Sequence, residues 1–490
     1  VLIQKCIIYQ ENYQKLPKIE KIWLMEEIKE GLSPARNIKI GFFHLGSGMA
    51  DVLVTGVWNR IMISDLGISA TPVSLLASLR YFLAPLGIWA GHMSDKQRIF
   101  GFRRLFWIWL GRLMMVISTF GLGFGTVQLM QHLGETSVFA WTAIIVSMVL
   151  FSFGSAISGS TFLALIYDRS RPEQRGRAVG IIWTFLLLGF TVGGILFSIL
   201  LPRGEVATGV DAVHTFSFTE GDLMRLFIVS ASIFIALWFF SVLAEEHRDT
   251  IIEIDETEGQ SSSWRADLRL VWENPTMRFF LFYLALSMFF AFSQDPVLEP
   301  FAGDVFGMSA STTSRFAAYW GSTSIISSLL SLWLLRKRTQ WNHTRLSQVG
   351  IAILIVTFGL FTLSSFMKIE TIVMPSLYLL GLGLGFWNIG TLGLMMDLSP
   401  LGRAGTFLGF WSMVVTLARG GGITSGGIVR DVGMIASEQF AVSYGLVFAV
   451  AFMGLIVAMW CLNSIHIEAF EQGTRSPSEQ TAAILAGSLD

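Results

Sequence analysis

Twelve stretches of this chain are long enough and apolar enough to cross a lipid bilayer, and that count constrains every other reading. A membrane-spanning helix needs about 20 mostly apolar residues. The windows fall at 40–63, 72–93, 104–128, 138–167, 178–201, 223–244, 277–299, 310–335, 346–367, 372–397, 404–429 and 439–462, called spans 1 to 12 below. Within hydrocarbon each backbone polar group needs an internal partner, so such segments fold as helices. The expected class is an all-α membrane protein whose first partner is the lipid bilayer. Only 14% of the residues are charged, against about 25% in a soluble globular chain. That composition excludes an ordinary soluble enzyme, a disordered chain and a basic nucleic-acid binder, so no nucleic-acid partner is expected.

Charge decides how the spans are threaded. Of the Lys and Arg side chains, 24 lie on the face that carries the N-terminus, seven of them in residues 1–39. The opposite face carries three: Arg203, Lys368 and Arg430. Cytoplasmic loops are enriched in Lys and Arg, which places both termini in the cytoplasm. Residues 1–39 lack an apolar core followed by a small-residue cleavage site, so no cleavable signal peptide is expected. The chain begins at Val1, and the sequence leaves two starts of translation open, a non-standard one at Val1 or Met25.

One long polar interruption, residues 245–276, divides the spans six and six. The expected organisation is an N-terminal segment 1–39, a six-helix half 40–244, a linker 245–276, a six-helix half 277–462 and a tail 463–490. The halves echo one another. Gly67-Ile68-Ser69-Ala70 after span 1 matches Gly307-Met308-Ser309-Ala310 after span 7. Asp168 followed by Gly176-Arg177 after span 4 matches Asp397 followed by Gly402-Arg403 after span 10. Gly189 and Gly193 in span 5 match Gly422 and Gly426 in span 11, a spacing that lets helices pack closely.

Enzymatic signatures are missing. Cys6 and Cys461 stand at opposite ends of the chain, the seven histidines show no metal-ligand spacing, and no phosphate-binding or nucleophile motif occurs. The expectation is a protein that is not an enzyme and holds no metal.

The loop between spans 2 and 3 carries Gly91, Asp95, Arg103 and Arg104. It resembles the Gly-x-x-x-Asp-Arg…Gly-Arg-Arg loop of the major facilitator superfamily, with Lys96 in place of the first Arg. The resemblance implies two pseudo-symmetric six-helix halves, with Gly91 allowing close helix approach and Asp95 docking onto cations of the other half. Asp168, Arg177, Asp397 and Arg403 join this candidate conformational motif. A narrower resemblance covers nearly all of 33–465. Asn59-Arg60, Arg80-Tyr81-Phe82-Leu83-Ala84-Pro85 and, above all, Gln294-Asp295-Pro296-Val297-Leu298-Glu299-Pro300-Phe301 are similar to the bacteriochlorophyll-delivery branch, the PucC and LhaA proteins. That resemblance implies a factor of inner or thylakoid membranes that assists assembly of chlorophyll-containing complexes. Chlorophyll or a chlorophyll precursor is the implied ligand, and light-harvesting or photosystem polypeptides are the implied partners.

Charged groups inside a bilayer are functional candidates by default. Asp51 in span 1 and Arg80 in span 2 stand at similar depth and are expected to pair; a purely structural pair would also suit them. His44 lies seven residues before Asp51, on the same helix face, and is the one histidine inside a span that could ligate magnesium. Trp58, Asn59, Gln294, Trp387 and Asn388 complete the cavity candidates. Arg60 is expected to pair with Asp295 or Glu299 as an outer gate. Arg112 and Arg315 are expected to snorkel to an interface, and Arg419 has no obvious partner in sequence. A second function stays open beside the assembly role: secondary transport of a small amphipathic solute, proton-coupled through Asp51 or the span 7 carboxylates.

Overall fold

The fold is described from a computed structural model, for residues 32–132, 137–170, 172–202, 218–246, 272–337, 340–399 and 404–465. Arg403, Met25, most of the linker and the tail beyond residue 465 lie outside them. Among the described residues, eleven helical stretches are long and apolar enough to cross a membrane, and Ala404–Ser437 supplies a twelfth long helix. The molecule is thus an all-helical integral membrane protein of two six-helix halves.

Helix starts follow local chemistry. Span 1 begins at Ser33, whose hydroxyl accepts from Arg36 N ahead of Pro34 at the first helical position. Span 6 begins on a reciprocal cap between Thr219 and Asp222. Asn274 and Asn342 cap spans 7 and 9 by accepting from first-turn backbone N–H groups.

Span 2 is interrupted between Ala70–Phe82 and Pro85–Lys96, and span 8 between Ala310–Thr313 and Phe316–Lys337; spans 1 and 7 depart from a plain helix in ways that shape the cavity. Span 1 runs through Pro34–Asp51 and then widens into π-helical turns at Val52–Trp58 and Ile61–Asp65. Span 7, expected as one helix to 299, is broken. Pro275–Phe292 stops four residues before Pro296, whose ring would clash with the Phe292 carbonyl. A new helix, Leu298–Phe306, starts beyond it and tolerates Pro300 because the first-turn N–H groups have no intrahelical partner. The break therefore lies inside the bundle, and the span continues outward to Gly307, which ends it in the left-handed conformation (φ 70°).

Each half has its own apolar core, one from residues of spans 1–6 joined by Ala310 and Ala317, the other from spans 7–12. The glycine spacing works in both. A Cβ on Gly189 would press on Gly48 Cα at 3.0 Å, and one on Gly422 would press on Phe289 Cα at 3.0 Å. Span 5 so packs on span 1, and span 11 on span 7. The halves meet chiefly where span 2 lies on span 11 and span 5 on span 8.

Candidate functional site

The π-helical span 1 and the broken span 7 face each other. The π-helical stretch of span 1 presents Gly56 to span 7, and a Cβ there would stand 3.2 Å from Glu299 Oε1. π-Helical turns are frequent at functional sites, and discontinuous spans are a recurrent way to build a binding site at mid-membrane. Between them is a cavity of about 40 Å³, lined by Asp51, Thr55, Gln294, Asp295, Glu299 and Arg419 with apolar walls from Phe190, Phe292, Trp320 and Leu384.

Each half contributes one guanidinium–carboxylate pair. Arg80 donates to Asp51, and Arg419 stands 3.4 Å from Asp295 Oδ2. Tyr81 links the two: Arg80 Nη2 donates to its hydroxyl at 2.8 Å, and the Arg419 guanidinium lies 5.0 Å from its ring centre. Arg419, partnerless in sequence, also sits 4.0 Å from the Phe292 ring centre. Pairing and aromatic contact offset the cost of holding such charges away from water.

The far face of the bundle, opposite the chain ends, is closed by bonds between the halves. Asp304 of the second half accepts from Ser64 of the first, and is held within its own half by Tyr444 at 2.5 Å and Arg430 at 3.4 Å. Asp431 accepts from the backbone N–H groups of Ala70 and Thr71 at 2.9 and 2.7 Å, at the first turn of span 2. Arg315 donates to Ser198 at 2.7 Å, and Ser78 meets Thr424 at 2.8 Å. Among the described residues no hydrogen bond or ion pair joins the halves at the near face. There the bonds stay within each half: Arg104 with Asp95, Ser94 and Asp168, Lys39 with Glu245, and His343 with Asp397.

Several expected placements are corrected. Arg60 does not form an ion pair with Asp295 or Glu299. It pairs with Asp65 at 3.0 Å and donates to the Met308 carbonyl at 3.1 Å, because the π-helical turns bring Asp65 back beside it. Trp58 is absent from the cavity lining; it is wholly buried, with its indole N–H donating to Thr126. Asn59 is buried and donates to the Thr55 carbonyl of its own helix. Trp387 packs on Gly350 in the core of the second half. Asn388 is exposed one helical turn from the cavity-lining Leu384. His44 is part-exposed, stacked on Phe162, with Nδ1 buried and unpartnered.

In the near-face loop, Asp95 docks on Arg103 and Arg104 of its own half, and not across the halves. Gly91 has open space where a Cβ would stand, so no close approach requires it; its carbonyl instead accepts from Ser94. Asp168 joins this cluster through Arg104, whereas Arg177 reaches the Leu32 carbonyl and Asp397 meets His343. Arg112 does not snorkel: it is buried with its guanidinium 4.1 Å from the Phe43 ring centre and 4.6 Å from that of Trp238. Arg315 also turns inward, to Ser198. Sequence reading missed Asp65, Asp304, Asp431 and Glu246, the last accepting from the backbone N–H groups of Arg103, Arg104 and Leu105. The available signal was the acidic Glu245-Glu246 pair directly after span 6, and Arg430-Asp431 directly after the expected end of span 11.

Comparison with known proteins places this architecture. A bacterial homologue of the human lysosomal transporter Spinster, solved inward-facing and unoccupied, superposes with a TM-score of 0.67 at 16% identity, covering 91% of this chain and all of that one. A D-xylose–proton symporter superposes with a TM-score of 0.59 at 14% identity, covering 88% and 97%. These show the major facilitator fold. In sequence, Protein PucC of Rhodovulum sulfidophilum is 28% identical over 83% of this chain and 87% of its own length. A Rhodobacter capsulatus protein named bacteriochlorophyll synthase 44.5 kDa chain is 26% identical over 86% and 92%. The family model described as PUCC protein matches residues 57–470, from the π-helical turns of span 1 to past the end of span 12, and the chain belongs to that family.

Proposed function

We propose that this protein is a membrane-embedded assembly factor that carries or escorts a chlorophyll-type pigment, or its precursor, to nascent light-harvesting or photosystem polypeptides. The observation that supports this most is the family match, which spans both halves, beside one relative named for bacteriochlorophyll synthesis. The chain works in an inner or thylakoid membrane with both termini in the cytoplasm, as its segregated positive charge favours. It catalyses no covalent step. With the far face tied shut, cargo is exchanged from the near, cytoplasmic face. His44 offers a part-exposed imidazole two turns below Asp51 on the same face, suited to ligating magnesium.

A second reading is supported by the cavity itself. Its size and paired charges suit a small polar group better than a macrocycle, as in secondary transport of a small amphipathic solute. One experiment separates the two. The protein is purified in mild detergent from a phototrophic host, beside His44→Ala and Asp51→Asn, and absorption is recorded after gel filtration. Chlorophyll-type bands that weaken in His44→Ala support pigment handling. A colourless protein in every preparation turns the assignment to the solute carrier.

A further inference from the structure

Five arginines are buried among the described residues, and four of them hold a carboxylate. Arg60 pairs with Asp65, Arg80 with Asp51, Arg104 with Asp95 and Asp168, and Arg430 with Asp304 and Asp431. The fifth, Arg112 in span 3, is 4% exposed and has no ion pair. Asp51 lies within its field but is already committed to Arg80, and His44, also within it, is no anion. A buried cation without a counter-ion is costly to keep.

The surroundings of Arg112 use its faces and leave its edge unspent. The guanidinium lies 4.1 Å from the Phe43 ring centre and 4.6 Å from that of Trp238, and such rings attract a cation over their flat faces. Its N–H groups lie in the guanidinium plane and need acceptors of their own. Nη1 has only the Met115 sulfur at 3.4 Å, a weak acceptor. Nε is buried with none, and no oxygen among the described residues accepts from Arg112. Two neighbouring nitrogens, His44 Nδ1 and Trp238 Nε1, are likewise buried without a partner.

This cluster stands between the near face and the central cavity. At about 1.5 Å per residue, Arg112 and His44 lie roughly 10 and 15 Å along their helices from Leu105 and Pro34. His44 is part-exposed, with its ring edge-on to Trp183 at 6.4 Å, and Trp183 is itself 47% exposed. Flat apolar surface thus adjoins an unspent guanidinium, on the side where no bond ties the halves together.

We infer that Arg112 is the recognition site for the single carboxylate of an amphipathic ligand whose flat apolar body lies against His44 and Trp183. Two guanidinium groups around one carboxylate, Asp51, leave one positive charge over, which suits a monoanion. The guanidinium fork matches a carboxylate edge to edge. Resting on the pigment reading above, the site selects a tetrapyrrole acid, its carboxyl still free, over the same ring esterified to an apolar tail.

The test uses the full chain in nanodiscs, with empty nanodiscs as the blank. Three probes are titrated: the metal-free chlorin acid pheophorbide, its methyl ester, and palmitate. Without magnesium the ring cannot use His44 as a metal ligand, so acid and ester differ at the carboxyl alone. Binding is read as a saturable rise in thermal midpoint. Wild type should bind the acid about tenfold or more tightly than the ester, the scale of a hydrogen bond to a charged group. Arg112→Gln should abolish that preference. Equal binding of acid and ester by wild type overturns the inference even if Arg112→Gln does not fold. A preference that survives in Arg112→Gln, or no binding of any probe, overturns it too, and leaves the pigment reading to the absorption experiment above. Palmitate binding that needs Arg112, with neither chlorin bound, would keep the carboxylate site and count against the pigment reading.

Discussion

The two faces of this molecule carry similar chemistry to different effect. Each concentrates Arg and Asp side chains, yet several far-face bonds run between the halves while the near-face bonds named above run within them. Asp304 gathers Ser64 of the first half and Arg430 and Tyr444 of the second; Asp95 gathers Arg103 and Arg104 from its own loop. A bond within a half moves with that half as a rigid body and resists nothing when the halves rock. A bond between halves must break for them to part. Location across the two-fold, and not the number of ion pairs, makes the far face the seal.

Breaking that distinction at its strongest point gives the largest expected effect. Asp304→Ala removes the buried acceptor shared by Ser64, Tyr444 and Arg430; Arg430 keeps Asp431 at 3.0 Å, but the other buried donors are left unsatisfied, at a cost of about 3 kcal/mol or more. The thermal midpoint should fall, and cysteines placed near Ser64 should label from the far face. A large loss of stability with no gain in labelling would show that Asp304 holds only its own half. Gly427→Ala approaches the same seam by shape. Its Cβ would stand 2.7 Å from the Ala70 carbonyl and 2.8 Å from Ser74 Cβ, so span 11 must retreat from span 2. Overpacking of this kind costs about 1–3 kcal/mol. Far-face labelling should rise here too; unchanged labelling would place the seal elsewhere.

The fold was legible because hydrophobic length and charge segregation act residue by residue, with no tertiary contact needed. The Asp51–Arg80 contact was legible for the same reason, since depth along two neighbouring helices can be counted. Arg60 was not. Its partner depends on the π-helical turns that bring Asp65 round, and a hydropathy window does not register an extra residue per turn. Asp304 lay beyond the expected end of span 7, since Pro296 and Pro300 read as the end of a helix and not as a break followed by a second one. Arg112 was misplaced because the aromatic faces of Phe43 and Trp238 stabilise a cation at depth, and they come from spans distant in sequence.

The near face should yield smaller effects and leave the far face untouched. Asp95→Ala removes one carboxylate from Arg103 and Arg104, but Arg104 keeps Asp168 at 3.1 Å and Ser94 at 2.5 Å. Asp95 is itself 43% exposed on its side chain, so about 1 kcal/mol is expected, with far-face labelling at the wild-type level. Increased labelling would reveal a coupling between the faces that the bond pattern does not show.

Phe100→Gly has the smallest expected effect and the opposite sign. Ile99 and Phe102 exchange backbone hydrogen bonds at 2.9 and 3.1 Å across a tight turn in the same loop. Both residues at its tip are left-handed, Phe100 at φ 55° and Gly101 at φ 82°. Glycine adopts that region without strain and a bulky residue does not, while Phe100 is 80% exposed and loses little packing on truncation. Glycine also gains more freedom in the unfolded chain, which leaves a net stabilisation of about 0.5 kcal/mol as the expected balance. A small upward shift in thermal midpoint would fit a turn strained for its own sake. A clear drop would mean that the Phe100 ring, 5.9 Å from that of Phe106, supports the start of span 3, and that the near face relies on its loops more than on the Arg–Asp cluster beside them.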